Sequence, residues 1–360
     1  MTSDIKNDIV FYRMNGITGT LRSCAADTLV IEPEGAAAKA SVFFIHGLAE
    51  NCCRHIQFAV ELAKNGYQAV LFDLPGHGWD SGDARDLLWL AQGCIAVDEP
   101  QDLAVFLKIY AAQYRAAAES VMRQNYQKLK RLSMEDNLQF VRNIIESHRQ
   151  GGADQPYFIA GHSMGGLLAA ETARRIAIQG DDALKGVLLL SPAIRAVNPP
   201  HSSGFTRFIE NAAWKMKPCR GMCRFLTVLT RLSRVKMDIR WSFSHLSDLE
   251  FEPDVQAADP LLRKDLPAAY LLAIYELMQD FRKYSDSYPR DIALFAALDD
   301  KLVNGQEAAD FGKKVQKNRG EKVNMVFQYP DFWPHELLRS SKKAEITSHV
   351  LDFLRQHCNA

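Results

Sequence analysis

Short apolar runs alternate along this chain with longer segments in which apolar residues recur every three or four positions. Between the later runs this spacing predicts helices, for example near 55–64 and 164–179. Alternating strands and helices predict an α/β protein with a mostly parallel sheet of about eight strands, flanked by helices. The earliest runs have no helices between them, so we expect an antiparallel edge there. The strand-like runs lie near residues 9–13, 18–22, 28–32, 41–46, 67–73, 157–161, 186–191, 291–297 and 323–328.

A helical insertion is predicted at about 84–132, where the regular alternation of strands and helices is interrupted. Asp98, Glu99 and Pro100 suit the start of a helix, which would continue to Arg131. This helix either packs on the core or presents its apolar stripe to a partner or a membrane surface. The stripe consists of Leu103, Leu107, Tyr110, Tyr114, Ala117 and Val121.

A helical cap or lid is predicted at 196–279, between two strands of the core. The core itself then consists of 1–195 and 280–360. Within 205–241 the chain has nine basic and two acidic residues, a net charge of +7 interleaved with apolar side chains. A segment of this kind suits an anionic membrane surface, although a solvated helical face or an RNA or protein partner fits the same pattern.

The strongest chemical signal is Gly161-His162-Ser163-Met164-Gly165-Gly166, which joins a strand-like run to a helix-like run. In this setting Gly-x-Ser-x-Gly predicts a nucleophilic serine on a tight, strained turn. Gly161 and Gly165 leave room for the turn, and the following helix begins beside Ser163, where its amides favour developing negative charge. Ser163 is therefore the predicted nucleophile.

A nucleophilic serine requires a base and a group that orients the base. His335 lies on a loop after the last strand-like run and is the predicted base. The acid should follow the preceding strand, where Asp299 and Asp300 are adjacent. We favour Asp300 because an apolar pair follows it closely, and Asp299 is the alternative.

Backbone amides of an early loop and of the residue after the serine should form an oxyanion hole. His46-Gly47-Leu48-Ala49-Glu50 follows an apolar strand, so we predict the N–H groups of Leu48 and Met164 as donors. His46 precedes the serine and ends a strand. We therefore expect it to brace the loop.

These motifs also carry a family resemblance. The early His-Gly loop, Arg54, the segment 73–78 and the serine turn together resemble the monoacylglycerol lipase and lysophospholipase branch of the α/β-hydrolases. The resemblance covers roughly 40–83, 134–195 and 255–357. It implies the α/β-hydrolase fold, Asp300 as the acid, and Leu48 and Met164 as oxyanion donors. The chain departs from the family pattern at Asn51, at Asp80 and at 332–334, which affects substrate identity more than chemistry.

Composition agrees with a globular enzyme of ordinary type. The 360 residues are 47% hydrophobic with a formal charge of zero, which argues against a general nucleic-acid binder. Seven cysteines without framework spacing suggest free thiols in a reducing compartment, and no signal peptide or membrane span is predicted. We expect a cytoplasmic protein, with peripheral contact at an anionic membrane surface through 205–241.

The sequence therefore predicts a serine hydrolase that cleaves carboxylic esters of lipids, of the monoacylglycerol or lysophospholipid type. The triad would be Ser163, Asp300 and His335, and the chemistry requires no metal or organic cofactor. A thioesterase, acyltransferase or peptidase with the same triad is the alternative. A small-molecule receptor or scaffold on a hydrolase fold is the non-enzymatic alternative. The sequence does not predict an oligomeric state.

Overall fold

A nine-stranded sheet forms the centre of the molecule. The computed structural model describes residues 9–14, 17–25, 28–33, 37–80, 84–96, 102–149, 155–197, 236–320 and 324–358. The strands are β1 (Ile9–Met14), β2 (Ile17–Ala25), β3 (Thr28–Pro33), β4 (Ser41–Ile45), β5 (Gln68–Phe72), β6 (Tyr157–His162), β7 (Leu184–Leu190), β8 (Lys236–Asp238), β9 (Asp265–Pro267), β10 (Ile292–Ala297) and β11 (Met325–Tyr329). The order in the large sheet is β1-β2-β3-β5-β4-β6-β7-β10-β11, and β8 and β9 form a separate two-stranded ribbon.

The sheet is parallel from β5 to β11 and antiparallel at its β1–β3 edge, as the missing early helices predicted. In the parallel part, Ile45 of β4 pairs with Gly161 of β6, and Ala297 of β10 pairs with Tyr329 of β11. The carboxyl ends of these strands therefore meet at one edge of the sheet. The loops that leave this edge carry the predicted site residues.

Helices cover both faces of the sheet, and an apolar cluster lies beneath each layer. Helices α1, α2, α3 and α9 pack on one face, whereas α4, α5, α7 and α8 pack on the other. This two-sided covering explains why the parallel strands are apolar along their whole length. The helices are α1 (Ile56–Lys64), α2 (Ala84–Ala96), α3 (Asp102–Leu129), α4 (Met134–His148), α5 (Met164–Ile178), α6 (Glu252–Ala258), α7 (Ala268–Arg282), α8 (Gly305–Arg319) and α9 (Lys343–Cys358).

The predicted insertion contains two helices, α2 and α3. The long predicted helix is described from Asp102 to Leu129 and ends two residues before the predicted Arg131, whereas its predicted start at 98–100 lies outside the described residues. Its apolar stripe faces the protein: Tyr110 is fully buried and stacks between Trp89 and Tyr114, with ring centroids 5.1 and 4.8 Å apart. The stripe therefore packs on the core, which was one of the two alternatives.

The predicted cap is described only in part, because residues 198–235 lie outside the described ranges. Most of the basic segment 205–241 falls in this stretch. The described part of the predicted cap contains the β8–β9 ribbon, α6 and most of α7, so this part is not purely helical. The division of the chain into core and cap stays a prediction. Within the described ranges, no helix is both long and apolar enough to cross a membrane.

Candidate active site

Ser163 occupies a strained turn between β6 and α5. Its φ of 53° and ψ of −118° lie in a region that side chains other than glycine rarely adopt. The turn is crowded by backbone: a Cβ on Gly161 would lie 2.2 Å from the carbonyl oxygen of Gly165, and one on Gly165 would lie 2.1 Å from that of Ile45. Only glycine fits at these two positions, as the sequence motif predicted.

Asp300 and His335 are brought together from the loops after β10 and β11. The Asp300 Oδ2 atom lies 2.6 Å from Nδ1 of His335. The other carboxylate oxygen accepts the N–H groups of Leu302 and Val303 at 2.8 and 3.1 Å, so the carboxylate is fixed from both sides. Asp299 is exposed, and its backbone N–H donates to a carbonyl oxygen in the His335 loop. The structure thus places Asp300, rather than Asp299, against the imidazole.

The two predicted oxyanion donors border the same cavity as Ser163 and His335. Met164 is the first residue of α5, and the N–H groups in the first turn of a helix have no acceptor within that helix. Leu48 follows Gly47 in the loop after β4. That loop is braced by His46, whose Nε2 accepts the Leu74 N–H at 3.0 Å. Burial lowers the pKa of His46 to about 4, so its imidazole is neutral and structural.

A cavity of about 480 Å³ opens beside Ser163 and His335. Its lining is mainly aliphatic and aromatic, and the charged residues in that lining are paired. Asp238 binds Arg240, and Lys236 lies 3.1 Å from Asp265. The cavity therefore offers an apolar environment next to the serine. The apolar wall includes Leu48, Met164, Phe243, Leu246, Leu271 and Ile274.

Glu50 also lines the cavity, and its carboxylate lies between two histidines. Its oxygens are 2.8 Å from Nδ1 of His162 and 2.8 Å from Nε2 of His55, and all three residues are buried. Burial alone would lower the pKa of His162, but the Glu50 charge outweighs burial and raises it to about 9. Burial likewise favours protonation of Glu50, yet the His162 charge holds the pKa of this carboxyl well below its usual range. The two groups form a buried ion pair.

The other imidazole nitrogen of His162 lies 3.1 Å from the His335 carbonyl oxygen. A charged His162 forms an ion pair with Glu50 through Nδ1, donates to the His335 carbonyl through Nε2, and so joins the serine turn to the loop of His335. Glu50, His55 and His162 also form the one group among the described residues with the donor set of a metal site. A protonated imidazole cannot ligate a metal, so the ion pair competes with any such use.

A second buried charge network surrounds Arg54. Its Nη2 atom donates to Glu252 at 2.7 Å and to Glu336 at 2.6 Å, and Arg339 also binds Glu252. Glu336 directly follows His335, so this network anchors the loop of His335 to the core. Sequence reasoning missed both networks. The available signals were Glu50 in the oxyanion loop and His162 and Glu336, which stand next to the predicted catalytic residues.

The residues that depart from the family pattern have partners of their own. Asn51 donates to Asp259 at 3.0 Å. Asp80 accepts the Gly76 N–H at 2.7 Å and binds Lys128 of α3 at 2.6 Å. Asp80 therefore ties the loop after β5 to α3.

A parallel sheet covered on both faces, with a strained serine between β6 and α5, defines the α/β-hydrolase class. The sequence matches the family described as serine aminopeptidase, S33, over residues 36–88 and 108–341, and the chain belongs to this family. The stretch between the two matched ranges, 89–107, lies within the predicted insertion and includes parts of α2 and α3. The predicted fold and family resemblance are confirmed.

Among the solved structures that resemble this chain are two lipases and a carboxyl esterase. The monoacylglycerol lipase of Paleococcus ferrophilus is 17% identical, with a TM-score of 0.61, over 92% of this chain and 98% of that one. A soluble variant of Saccharomyces cerevisiae monoglyceride lipase, in complex with a substrate analogue, is 14% identical, with a TM-score of 0.56, over 99% and 97%. A Bacillus coagulans carboxyl esterase, in complex with glycerol, is 17% identical, with a TM-score of 0.52, over 97% and 98%. No curated protein matches the chain.

The charged state of His162 gives a pH-dependent contribution to stability. Its pKa rises from 6.5 to about 9 on folding, so the contribution is complete below pH 6.5 and is lost as the pH rises through about 9. We expect the free energy of unfolding to fall less over this range in His162→Gln, which retains a donor for His335 but carries no charge. Urea denaturation at both ends of the range measures this. Equal pH dependence in the two proteins would contradict the assignment.

Proposed function

We propose that the protein is a serine hydrolase that cleaves carboxylic esters of lipids, of the monoacylglycerol or lysophospholipid type. The observation that carries this proposal is the apolar cavity of about 480 Å³ that Ser163 and His335 border. Pockets of this size hold small organic ligands, and an apolar lining suits an acyl chain.

In the proposed mechanism, His335 Nε2 takes the Ser163 proton as the hydroxyl oxygen attacks the ester carbonyl. Asp300 holds the opposite ring nitrogen and stabilises the imidazolium that forms. The N–H groups of Leu48 and Met164 bind the oxyanion, each contributing about 3 kcal/mol to the transition state. The alcohol leaves with the His335 proton. Water activated by the same imidazole then releases the acid from the acyl-enzyme.

The family description raises a peptidase as the second candidate. An aminopeptidase needs a carboxylate that is free to bind the ammonium group of its substrate. Among the described lining residues, the two carboxylates are Glu50 and Asp238. Glu50 is held by two histidines, and Asp238 is held by Arg240. This favours an ester with an apolar acyl group, and a thioester fits the same cavity.

Ser163→Ala tests the proposal directly. We expect hydrolysis of p-nitrophenyl butyrate and monooleoylglycerol to fall by about 10⁴-fold or more, because the nucleophile is gone while the fold has no reason to change. A fluorophosphonate probe should label wild type at Ser163 and leave the variant unlabelled, as located by mass spectrometry. Retained hydrolysis in the variant would overturn the proposal. A folded wild type that neither reacts nor hydrolyses these esters would favour the receptor or scaffold alternative.

The two adjacent aspartates provide a matched pair of variants for the acid. Asp300→Asn should lower kcat by about 10⁴-fold, because the amide no longer fixes the required tautomer of His335. Asp299→Asn makes the same chemical change on an exposed side chain and should retain nearly full activity. Steady-state kinetics on both variants measure the difference. Similar losses in both would remove the distinction between the two positions.

We also propose peripheral contact with anionic membranes through 205–241, on the basis of its net charge of +7. Vesicles that contain anionic lipid should bind the protein more weakly as salt rises and after charge reversal at Arg231 and Arg234. A flotation assay measures binding, with neutral vesicles as the control. Salt-insensitive or absent binding would leave this segment with an ordinary lid role.

A further inference from the structure

The backbone of the His335 loop is held by a segment that is distant in sequence. Residues 245–252, here called the strap, run beside residues 335–341, here called the histidine loop. The N–H group of His335 donates to the carbonyl oxygen of His245 at 3.1 Å, and that of Glu336 donates to Leu246 at 2.8 Å. The strap thus contacts the backbone of the predicted base itself.

Side chains clamp the strap to the histidine loop further along. The Asp248 carboxylate accepts both the N–H group of Ser341, at 2.9 Å, and its hydroxyl group, at 2.5 Å. At the end of the strap, the buried Glu252 carboxylate binds Arg339 at 2.8 Å. Backbone and side-chain bonds therefore fix the register of the two segments over most of the strap.

The strap also belongs to the wall of the apolar cavity. Leu246 lines the cavity and at the same time accepts the Glu336 N–H through its carbonyl oxygen. Trp241 and Phe243, in the short helical turn just before the strap, line the same cavity. One residue of the strap therefore contacts both the cavity and the residue that follows His335.

We propose that the strap positions His335 and couples this position to the filling of the cavity, with Asp248 as a positioning residue. The inference rests on the proposed function. Two sets of contacts then hold the histidine loop in position: the hydrogen bonds and ion pair to the strap, and an acyl chain packed against Leu246. A small displacement of a catalytic base lowers the rate strongly. Loss of one set of contacts should therefore lower the rate most when the other set is absent.

This coupling predicts a specific dependence on acyl length in Asp248→Ala. With an acetyl ester the wall stays unfilled, and we expect kcat to fall about fivefold, which is the effect of losing one net hydrogen bond. With a decanoyl ester the acyl chain packs against the cavity wall and holds the strap in place, so kcat should fall by less than about twofold. KM should change little for either ester. The ratio of kcat for decanoyl ester to that for acetyl ester therefore rises by more than about 2.5-fold.

Two controls accompany this measurement. Asp352→Ala removes an exposed carboxylate that pairs with Arg355 on α9, and should leave both values of kcat unchanged. Ser341→Ala removes the hydroxyl partner of Asp248, and the double variant should be no worse than the Asp248 variant alone. Equal losses of kcat for the two esters would indicate a merely structural role and overturn the coupling. Unchanged kcat for both esters would overturn the positioning role.

Wall residues on and off the strap provide an independent test. Leu246→Ala weakens the contact between an acyl chain and the strap, so we expect it to lower kcat for the decanoyl ester. Leu271→Ala makes the same truncation on α7, away from the strap, and we expect it to raise KM for the decanoyl ester with little change in kcat. The same pattern in both variants would contradict the coupling. Fluorophosphonate labelling of wild type at Ser163 is measured on the same preparation. A wild type that is inert to probe and esters overturns both proposals, whereas a reactive wild type with unaltered ratios overturns the strap alone.

Discussion

The candidate site depends on one buried carboxylate, that of Glu50. It accepts the Gly47 N–H of the oxyanion loop at 3.3 Å, pairs with His162 beside the serine turn, and binds His55 at the start of α1. A buried charge without partners would be prohibitive, so the loops can adopt this arrangement only together. Through His162 the same charge reaches the carbonyl of His335. The three loops that would perform the chemistry are therefore held by one electrostatic centre beside the cavity.

A second layer of charge ties the cap side of the molecule to this centre. Arg54 joins Glu252, at the start of α6, to Glu336, in the histidine loop. The cavity wall and the predicted base thus share a framework of buried ion pairs, whereas the cavity itself is apolar. This division suits ester chemistry, because an apolar acyl group fills the cavity while polar groups converge only at the serine.

Helix α3 is joined to the core by equally specific contacts. It buries its apolar stripe, with Tyr110 at its centre, and pairs Lys128 with Asp80 in the loop after β5. Position 80 is one of those at which the chain departs from the family pattern. The aspartate at this position therefore has a defined electrostatic partner on α3.

The sequence by itself determined the strand order along the chain, the antiparallel edge, the serine turn and the loop of His335. These features follow from local rules: apolar periodicity selects strands and helices, and only glycine fits the crowded turn at Gly161 and Gly165. It favoured Asp300 but kept Asp299 as the alternative, since adjacent residues share almost the same local pattern. In the folded chain it is Asp300 that lies against the imidazole of His335. Tertiary structure alone also joined Glu50 to His162 and the strap to the histidine loop, since these contacts unite residues about 90 to 110 positions apart that no local pattern relates.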